Sequence, residues 1–373
     1  MEPRGTAKPL SGRWRVLRYL ATFTLPLGAW ATFTDRHGWY WMVPLFGFVL
    51  IPILELLLRG RPNDLSEEEE QAVLSDPLFD LLLYAIVPVQ YVLLFLFLQR
   101  VQAGGLETGD LLGCVATMGI LCGVYGINVA HELGHRTKRW ERDLARALLL
   151  TSLYMHFIIE HNRGHHRRVA TPDDPASARY GETVYAFWVR SIIFSWLSAW
   201  HIEADRLRKG GERPYGLHNE MLHAMVWQGT LLVVIGLVFG TTALLAFLGA
   251  AFIGILLLET VNYIEHYGLR RSRTSQGTYG RVHHVHSWNS DHLLGRMMLF
   301  ELTRHSDHHW KASKKYQGLK SLEDAPQLPT GYPGTMLMSL FPPLFFAVMH
   351  PRLKHLVAND TTVELAKHSS SMN

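Results

Sequence analysis

The sequence has very few cysteines and few charged residues. Its two cysteines, Cys114 and Cys122, fall in one apolar segment, which excludes a disulfide framework and a zinc ribbon built from paired CxxC motifs. Charged residues make up 18% of the 373 residues, against 48% hydrophobic ones. The mean hydropathy of +0.05 is high for a soluble protein and low for one lying wholly in lipid. These values favour a membrane domain with a sizeable polar portion.

The basic residues are not gathered into a single stripe. The formal net charge is +4 and the pI is near 9.0, yet most lysines and arginines stand beside apolar runs. Such placement is typical of membrane-flanking charge rather than of a nucleic-acid-binding surface. We therefore expect a lipid bilayer, and no nucleic acid, as a partner.

Apolar runs of bilayer length occur six times. Each holds about 18 to 22 residues, and the runs lack the alternation of a barrel strand, so they predict six transmembrane helices. The predicted spans are residues 14–33, 39–58, 81–98, 111–130, 221–239 and 243–264. The fold class expected is an all-α integral membrane protein with a cytosolic histidine-rich region.

Basic residues predict the orientation of these spans. Arg4, Lys8, Arg13, Arg15 and Arg18 precede or open the first run, which places the N-terminus in the cytoplasm. The run lacks a small-residue cleavage site and is expected to be a retained anchor. An even number of spans returns the C-terminus to the cytoplasm, and the long segments between spans are then cytosolic.

We divide the chain into two parts. Residues 1–340 are predicted to form the six-helix membrane catalytic domain, with cytosolic histidine-rich segments at 131–220 and 265–333. Residues 341–373 are predicted to be a C-terminal helix followed by a mobile polar tail. The apolar stretches 143–159 and 184–201 are expected to be buried or interfacial helices rather than further spans.

Histidine is the residue that stands out, with 21 copies. Nine of them lie in four motifs: His131-Glu-Leu-Gly-His135, His161-Asn-Arg-Gly-His165-His166, Asn262-Tyr-Ile-Glu-His266 and His305-Ser-Asp-His308-His309. Helical positions three and four apart share a face, so His131 with His135, His161 with His165, and His305 with His308 and His309 can each point at one centre. Adjacent histidines are turned by about 100° and can serve two metals.

The predicted topology brings all nine histidines to one membrane face, because His131 and His266 follow the cytosolic ends of two spans. One metal takes about four to six ligands, so about four or five imidazoles on each of two metals account for the set. The motifs therefore predict a dinuclear catalytic centre. Imidazole suits iron, copper and zinc, and ligand type alone does not choose among them.

Six carboxylates are candidates for supporting roles. Glu132, Glu160, Glu265 and Asp307 each adjoin a histidine in sequence and so point away from it on a helix. We expect them to orient imidazoles through the second ring nitrogen, with a solvated or structural role as the alternative. Glu55 and Glu259 lie in apolar spans, where a carboxylate is costly. Each is expected to orient a histidine or relay a proton, or else to make an interhelical bond.

The text around the histidines resembles the membrane alkane 1-monooxygenases and, through them, the wider membrane desaturase and hydroxylase superfamily. The resemblance is carried by Glu160-His-Asn-Arg-Gly-His-His-Arg-Arg-Val-Ala-Thr-Pro-Asp-Asp-Pro-Ala176, Asn262-Tyr-Ile-Glu-His-Tyr-Gly268, Arg304-His-Ser-Asp-His-His309, His286-Ser-Trp-Asn-Ser290 and Leu328-Pro-Thr-Gly-Tyr-Pro333. It runs from the first span to Pro333. Thr303 departs from the family, which commonly has Gln there.

This resemblance implies terminal hydroxylation of linear alkanes by O₂ at a centre of two iron ions (Fe²⁺/Fe³⁺). It also implies a bacterial inner-membrane location and electrons from rubredoxin, which an NAD(P)H-dependent reductase reduces. Rubredoxin binds its iron with four cysteines, so the donor is expected to be a separate protein or a domain absent from this chain.

An unactivated methyl group offers nothing to acid-base or nucleophilic catalysis, so the reaction needs metal-activated oxygen. We expect an apolar tube to hold the alkane end near the metals, with Gly47 either setting its depth or serving as a helix-packing glycine.

One alternative is a fatty-acyl desaturase, ω-hydroxylase or sterol oxidase of the same superfamily, which needs a polar head-group cradle. Another is a transporter, although the histidines lie past the ends of the spans rather than along them.

Overall fold

The computed structural model describes residues 12–34, 38–58, 60 and 64–367. Its α-helices are Thr24–Thr34, Met42–Leu45, Ile51–Leu57, Glu67–Ser75, Pro77–Gln102, Thr108–Leu121, Ala130–Gly134, Arg139–Leu150, Phe157–Glu160, His166–Arg168, Val184–Lys209, Glu220–His266, Leu293–Met298, His305–Trp310, Tyr332–Ser339 and Pro342–Asn359. Three 3-10 segments (Gly12–Phe23, His284–His286, Tyr316–Gly318) and three π segments (Phe46–Leu50, Cys122–Val129, His161–His165) complete the helical structure. The predicted helical architecture is confirmed. The basic residues Arg4 and Lys8 lie outside the described residues.

Among the described residues, three helices are long and apolar enough to cross a membrane: Pro77–Gln102, Thr108–Gly134 and Glu220–His266. The first two cover the predicted third and fourth spans. The count of six spans stays a prediction, because the first two predicted spans fall into shorter pieces. One runs from Gly12–Phe23 into Thr24–Thr34, and the other is the short apolar helix Met42–Leu57. The cytosolic orientation of the loops also stays a prediction.

The longest apolar helix folds back on itself at Gly240. Its 47 residues would extend about 70 Å as a straight helix, more than twice the thickness of a bilayer core. Gly240 instead has φ 85° and ψ 173°, which breaks the helix where the sequence predicted a short connection. Across the break, a Cβ built on Gly236 would lie 3.4 Å from the Leu244 side chain. Both ends of the helix approach the second histidine motif, Glu220 through Arg163 and His266 through His165, so the two halves form a hairpin.

A small antiparallel sheet joins the segment after His266 to the C-terminal region. Leu269–Arg271 pairs with Val363–Leu365, with Leu269 opposite Leu365. A hydrophobic cluster that includes Tyr263, Trp288 and Phe345 packs the end of the hairpin against the C-terminal helices. The end of the predicted tail, residues 368–373, lies outside the described residues.

Candidate metal centre

The structure brings the nine motif histidines together in two adjoining groups. One group contains His131, His135, His161, His166 and His308, and the other contains His165, His266, His305 and His309. Within each group, the nitrogen atoms that could bind a metal all lie within 4.8 Å of one another. Four segments that are distant in sequence therefore supply two compact clusters of imidazole nitrogens.

The spacing of these nitrogens fits metal ions. The Nε2 atoms of His131 and His308 are 2.9 Å apart, as are those of His161 and His166, and those of His266 and His305 are 3.2 Å apart. Two ligands at right angles, each about 2.1 Å from one metal, would be separated by about 3 Å. The Nε2 atom of His135 is buried and has no hydrogen-bond partner in the described part of the chain. Imidazole nitrogens in this arrangement could hold two metal ions.

A π turn decides how the second motif is shared between the groups. The sequence predicted that His161 and His165 face one centre, but the structure places His161 with His166 and His165 in the other group. Residues His161–His165 form a π turn, whose wider i to i+5 bonding aligns positions five apart instead of four. The adjacent pairs His165–His166 and His308–His309 are each split between the two groups.

Asp174 orients one of the nine histidines, and sequence reasoning assigned it no role. Its Oδ2 atom lies 2.9 Å from Nδ1 of His165 and also accepts a hydrogen bond from the Ser177 hydroxyl (2.6 Å). Burial would raise the pKa of Asp174, but His165 and Ser177 outweigh this effect and lower the pKa below its usual value. Asp174 lies in a loop, where helical spacing has no meaning. The sequence feature that could have identified Asp174 is its position in the stretch after His166 that carries the family resemblance.

Three carboxylates that adjoin histidines in sequence contact basic side chains: Glu132 contacts Arg136 (2.8 Å), Glu160 contacts Arg168 (2.7 Å) and Asp307 contacts Lys314 (2.8 Å). The two carboxylates in apolar helices accept hydrogen bonds: Glu259 from the Tyr154 hydroxyl (2.8 Å) and Glu55 from the Gly295 backbone (2.8 Å). Their contacts link elements around the histidine groups, and their proposed help in orienting imidazoles stays a prediction.

Glu265 differs from these five carboxylates. Its Oε2 atom lies 3.2 Å from Nε2 of His305, and its Oε1 atom accepts a 2.7 Å hydrogen bond from the Tyr332 hydroxyl. Helical spacing relates Glu265 only to its neighbour His266, from which a side chain one position away does point aside. His305 belongs to another helix and approaches Glu265 from a different direction.

An apolar pocket ends at both histidine groups. Side chains such as Phe48, Ile51, Ile127, Leu258 and Leu299 form its walls. The residues at its polar end include His131, His161, Asn262, Glu265 and His305. A long hydrophobic molecule could therefore place one end beside the imidazoles while its length contacts only apolar side chains.

Gly47 lies in the wall of this pocket. A Cβ atom built on Gly47 would meet no heavy atom within 4 Å among the described residues, so no neighbouring helix packs tightly against it. Of the two roles considered from the sequence, the open space favours a limit on pocket depth over close helix packing.

Comparisons with known proteins agree with the family resemblance of the histidine motifs. Residues 110–355 match the family model of the fatty acid desaturases. The chain is 38% identical to alkane 1-monooxygenase 1 of Pseudomonas aeruginosa, covering 91% of this chain and 90% of that protein. It is 35% identical to alkane 1-monooxygenase 2 of the same organism, with 94% and 96% covered. It is also 30% identical to the hydroxylase component of the xylene/toluene monooxygenase of Pseudomonas putida, with 85% and 84% covered.

Proposed function

The chain belongs to the alkane 1-monooxygenase family, and from this membership we propose that it hydroxylates the terminal carbon of linear alkanes with O₂ at a centre of two iron ions. The observation that carries the proposal is that an apolar pocket reaches both histidine groups, with His131 and His161 of one group and His305 of the other in its lining. A hydrocarbon has no group that a charged or hydrogen-bonding site could recognise. A pocket with apolar walls and a metal-binding end is the kind of site such a substrate requires.

In this proposal the two histidine groups hold the ions, His131, His135, His161, His166 and His308 on one side and His165, His266, His305 and His309 on the other. Iron bound there supplies the activation of O₂ that breaking an unactivated C–H bond needs. Asp174 fixes the ring of His165 by holding its Nδ1 proton. The apolar walls exclude water and align the chain so that its end, rather than an inner carbon, meets the metals.

Electrons come, in this proposal, from rubredoxin, which an NAD(P)H-dependent reductase keeps reduced. Cys114 and Cys122 are both buried and free, so they do not form a four-cysteine iron site in this chain. The proposed location is the bacterial inner membrane, with six spans and with both termini and the histidine groups on the cytosolic side. That side is where a soluble carrier and NAD(P)H are found.

A turnover assay with a matched variant tests this function. Purified protein in nanodiscs, given rubredoxin, its reductase, NADH and a mixture of linear alkanes, is expected to give primary alcohols detected by gas chromatography and mass spectrometry. His266→Ala is expected to lose one iron and at least about 100-fold in rate, since removing a ligand empties or distorts the site. His355→Ala, in the C-terminal helix, is the control and is expected to match the wild type.

The family model also favours a second candidate, oxidation of fatty-acyl chains. The same assay includes a fatty acid, an acyl-CoA and lipid from the nanodisc. Oxidised or unsaturated acyl products without any alkanol would replace the alkane proposal with this one. Alkanols without acyl products would exclude it.

A further inference from the structure

Two residues that the proposed reaction leaves without a role, Glu265 and Tyr332, meet at the end of the pocket. Tyr332 comes from Leu328-Pro-Thr-Gly-Tyr-Pro333, and Glu265 comes from Asn262-Tyr-Ile-Glu-His266. Their side chains are fully buried and joined by a 2.7 Å hydrogen bond from the Tyr332 hydroxyl to Oε1 of Glu265. The second carboxylate oxygen is left to face the histidines.

The position of that oxygen matches the spacing of the imidazole nitrogens. Oε2 of Glu265 lies 3.2 Å from Nε2 of His305, and the same Nε2 atom lies 3.2 Å from Nε2 of His266 and 2.9 Å from Nε2 of His309. These separations all agree with the distance of about 3 Å expected between neighbouring ligands of one metal. Glu265 therefore adjoins the four-histidine group as a further donor of suitable type.

The nitrogen of the His305 ring that Glu265 faces shows whether Glu265 is placed as a metal ligand or as a group that orients the ring. A carboxylate that orients a metal-binding histidine contacts the ring nitrogen that the metal does not use, as Asp174 contacts Nδ1 of His165. Glu265 instead faces Nε2 of His305, the nitrogen aimed at the other imidazoles. Nδ1 of His305 is buried and has no hydrogen-bond partner among the residues described. The geometry is that of a ligand and not of an orienting group.

We propose that Glu265 is a carboxylate ligand of the metal held by His165, His266, His305 and His309, with Tyr332 fixing its second oxygen. This inference rests on the proposed dinuclear centre and adds to it. Each metal then has five protein donors, since the other group already has five imidazoles. The two ions differ in charge environment, because one has an anionic oxygen ligand and the other has only neutral nitrogens. Glu265 also lines the pocket, so the carboxylate lies on the substrate side.

The test measures bound metal in full-length protein loaded with ⁵⁷Fe in nanodiscs. Wild type, Glu265→Gln and Tyr332→Phe are dialysed against a chelator, and iron per chain is then measured by mass spectrometry. Glu265→Gln is expected to fall from about two irons to about one and to lose one of two Mössbauer components. Tyr332→Phe keeps the carboxylate and is expected to retain both irons, with the same component shifted but present. Glu265→Asp is expected to restore part of the loss.

Two irons held by Glu265→Gln as tightly as by wild type, with an unchanged Mössbauer spectrum, would overturn the inference. If Glu265→Gln does not fold, X-ray absorption of the wild type decides the question. Five nitrogen or oxygen neighbours per iron, with a carboxylate contribution, are expected. Scattering from imidazoles alone would contradict the proposed carboxylate ligand. Wild type without two irons would instead defeat the proposed dinuclear centre itself. The two failures are therefore distinguishable.

Discussion

At the scale of single residues, Asp174 is predicted to secure one metal through His165. Asp174→Asn replaces the carboxylate that accepts from Nδ1 of His165 with a weaker acceptor. Loss of such a partner typically costs about 10- to 100-fold in metal affinity, and we expect a loss of that size in a chelator competition assay. Asp173→Asn is the matched control, since Asp173 is the exposed neighbour. Equal affinities of the two variants would contradict the role of Asp174.

Gly47 is predicted to set the depth of the pocket. Gly47→Trp places an indole in the open space beside this residue, so long alkanes lose their room while the fold is undisturbed. The product ratio of long to short alcohols is expected to fall by at least about tenfold in competition assays, because each excluded methylene costs about 1 to 3 kcal/mol. Gly229→Trp, on an exposed helix face that also has open space, is expected to leave the ratio unchanged. A lower ratio of long to short alcohols in both variants would contradict the role of Gly47 in limiting pocket depth.

The sequence predicted which histidines meet but not how they divide. Helical spacing pairs His131 with His135, which share a group, and pairs His305 with both His308 and His309, of which only His309 shares its group. It fails at His165 because a π turn changes the helical period there, and residue pattern does not reveal that turn. Contacts such as those of Glu265 with His305 join separate helices, so they depend on packing that a single sequence does not specify.

At the scale of helices, Gly240 is predicted to be required for the hairpin. Its φ of 85° with ψ of 173° belongs to a region open essentially to glycine alone, and Gly240→Ala is expected to cost about 1 to 3 kcal/mol. No heavy atom among the described residues lies within 4 Å of the added Cβ, so the cost is one of backbone strain. A lower thermal unfolding midpoint is expected in detergent. Gly229→Ala, in the helix interior, is expected to be neutral or stabilising, and a similar loss there would contradict this reading.

The first helical segment is held to the loop before His305 by a buried carboxylate. Glu301 accepts hydrogen bonds from Arg18 (2.7 Å), Tyr19 (2.8 Å) and Arg296 (2.7 Å). Burial would raise the pKa of Glu301, but Arg296, Arg18 and Arg304 outweigh it and lower the pKa. The unfolded chain therefore binds the proton more readily, with a pKa of about 4.3. The stability that Glu301 contributes is full above that pH and is lost as the pH falls through the lower folded pKa.

Glu301→Gln is expected to destabilise the protein at pH 7 by about 3 kcal/mol, because it removes the charge on which buried guanidinium groups converge. Thermal unfolding measured from about pH 7 to about pH 2 is expected to show a constant difference between wild type and variant down to about pH 4.3, which narrows below that pH. Glu364→Gln, at an exposed position, is expected to track the wild type throughout. A difference in stability between wild type and Glu301→Gln that grows on acidification would contradict the predicted pH dependence.

At the scale of the whole molecule, the sequence predicted a helical membrane protein with its histidines gathered at one place. Bilayer-length apolar runs predicted the helices Pro77–Gln102 and Thr108–Gly134 well, since length and hydropathy are local properties. The pieces at Gly12–Phe23 and Met42–Leu57 were not foreseen, because the length and hydropathy of an apolar run do not specify the helical type within it. The pairing of Leu269–Arg271 with Val363–Leu365 is likewise set by tertiary packing.

We propose that this molecule transfers an oxygen atom from O₂ to the end of a hydrocarbon. The most direct measurement supplies ¹⁸O₂ to the iron-loaded protein with rubredoxin, its reductase, NADH and one linear alkane, and identifies the alcohol by mass spectrometry. The expected product is a primary alcohol carrying one ¹⁸O atom, formed in proportion to bound iron. An unlabelled alcohol, a hydroxyl group on inner carbons, or product formation independent of iron would contradict it.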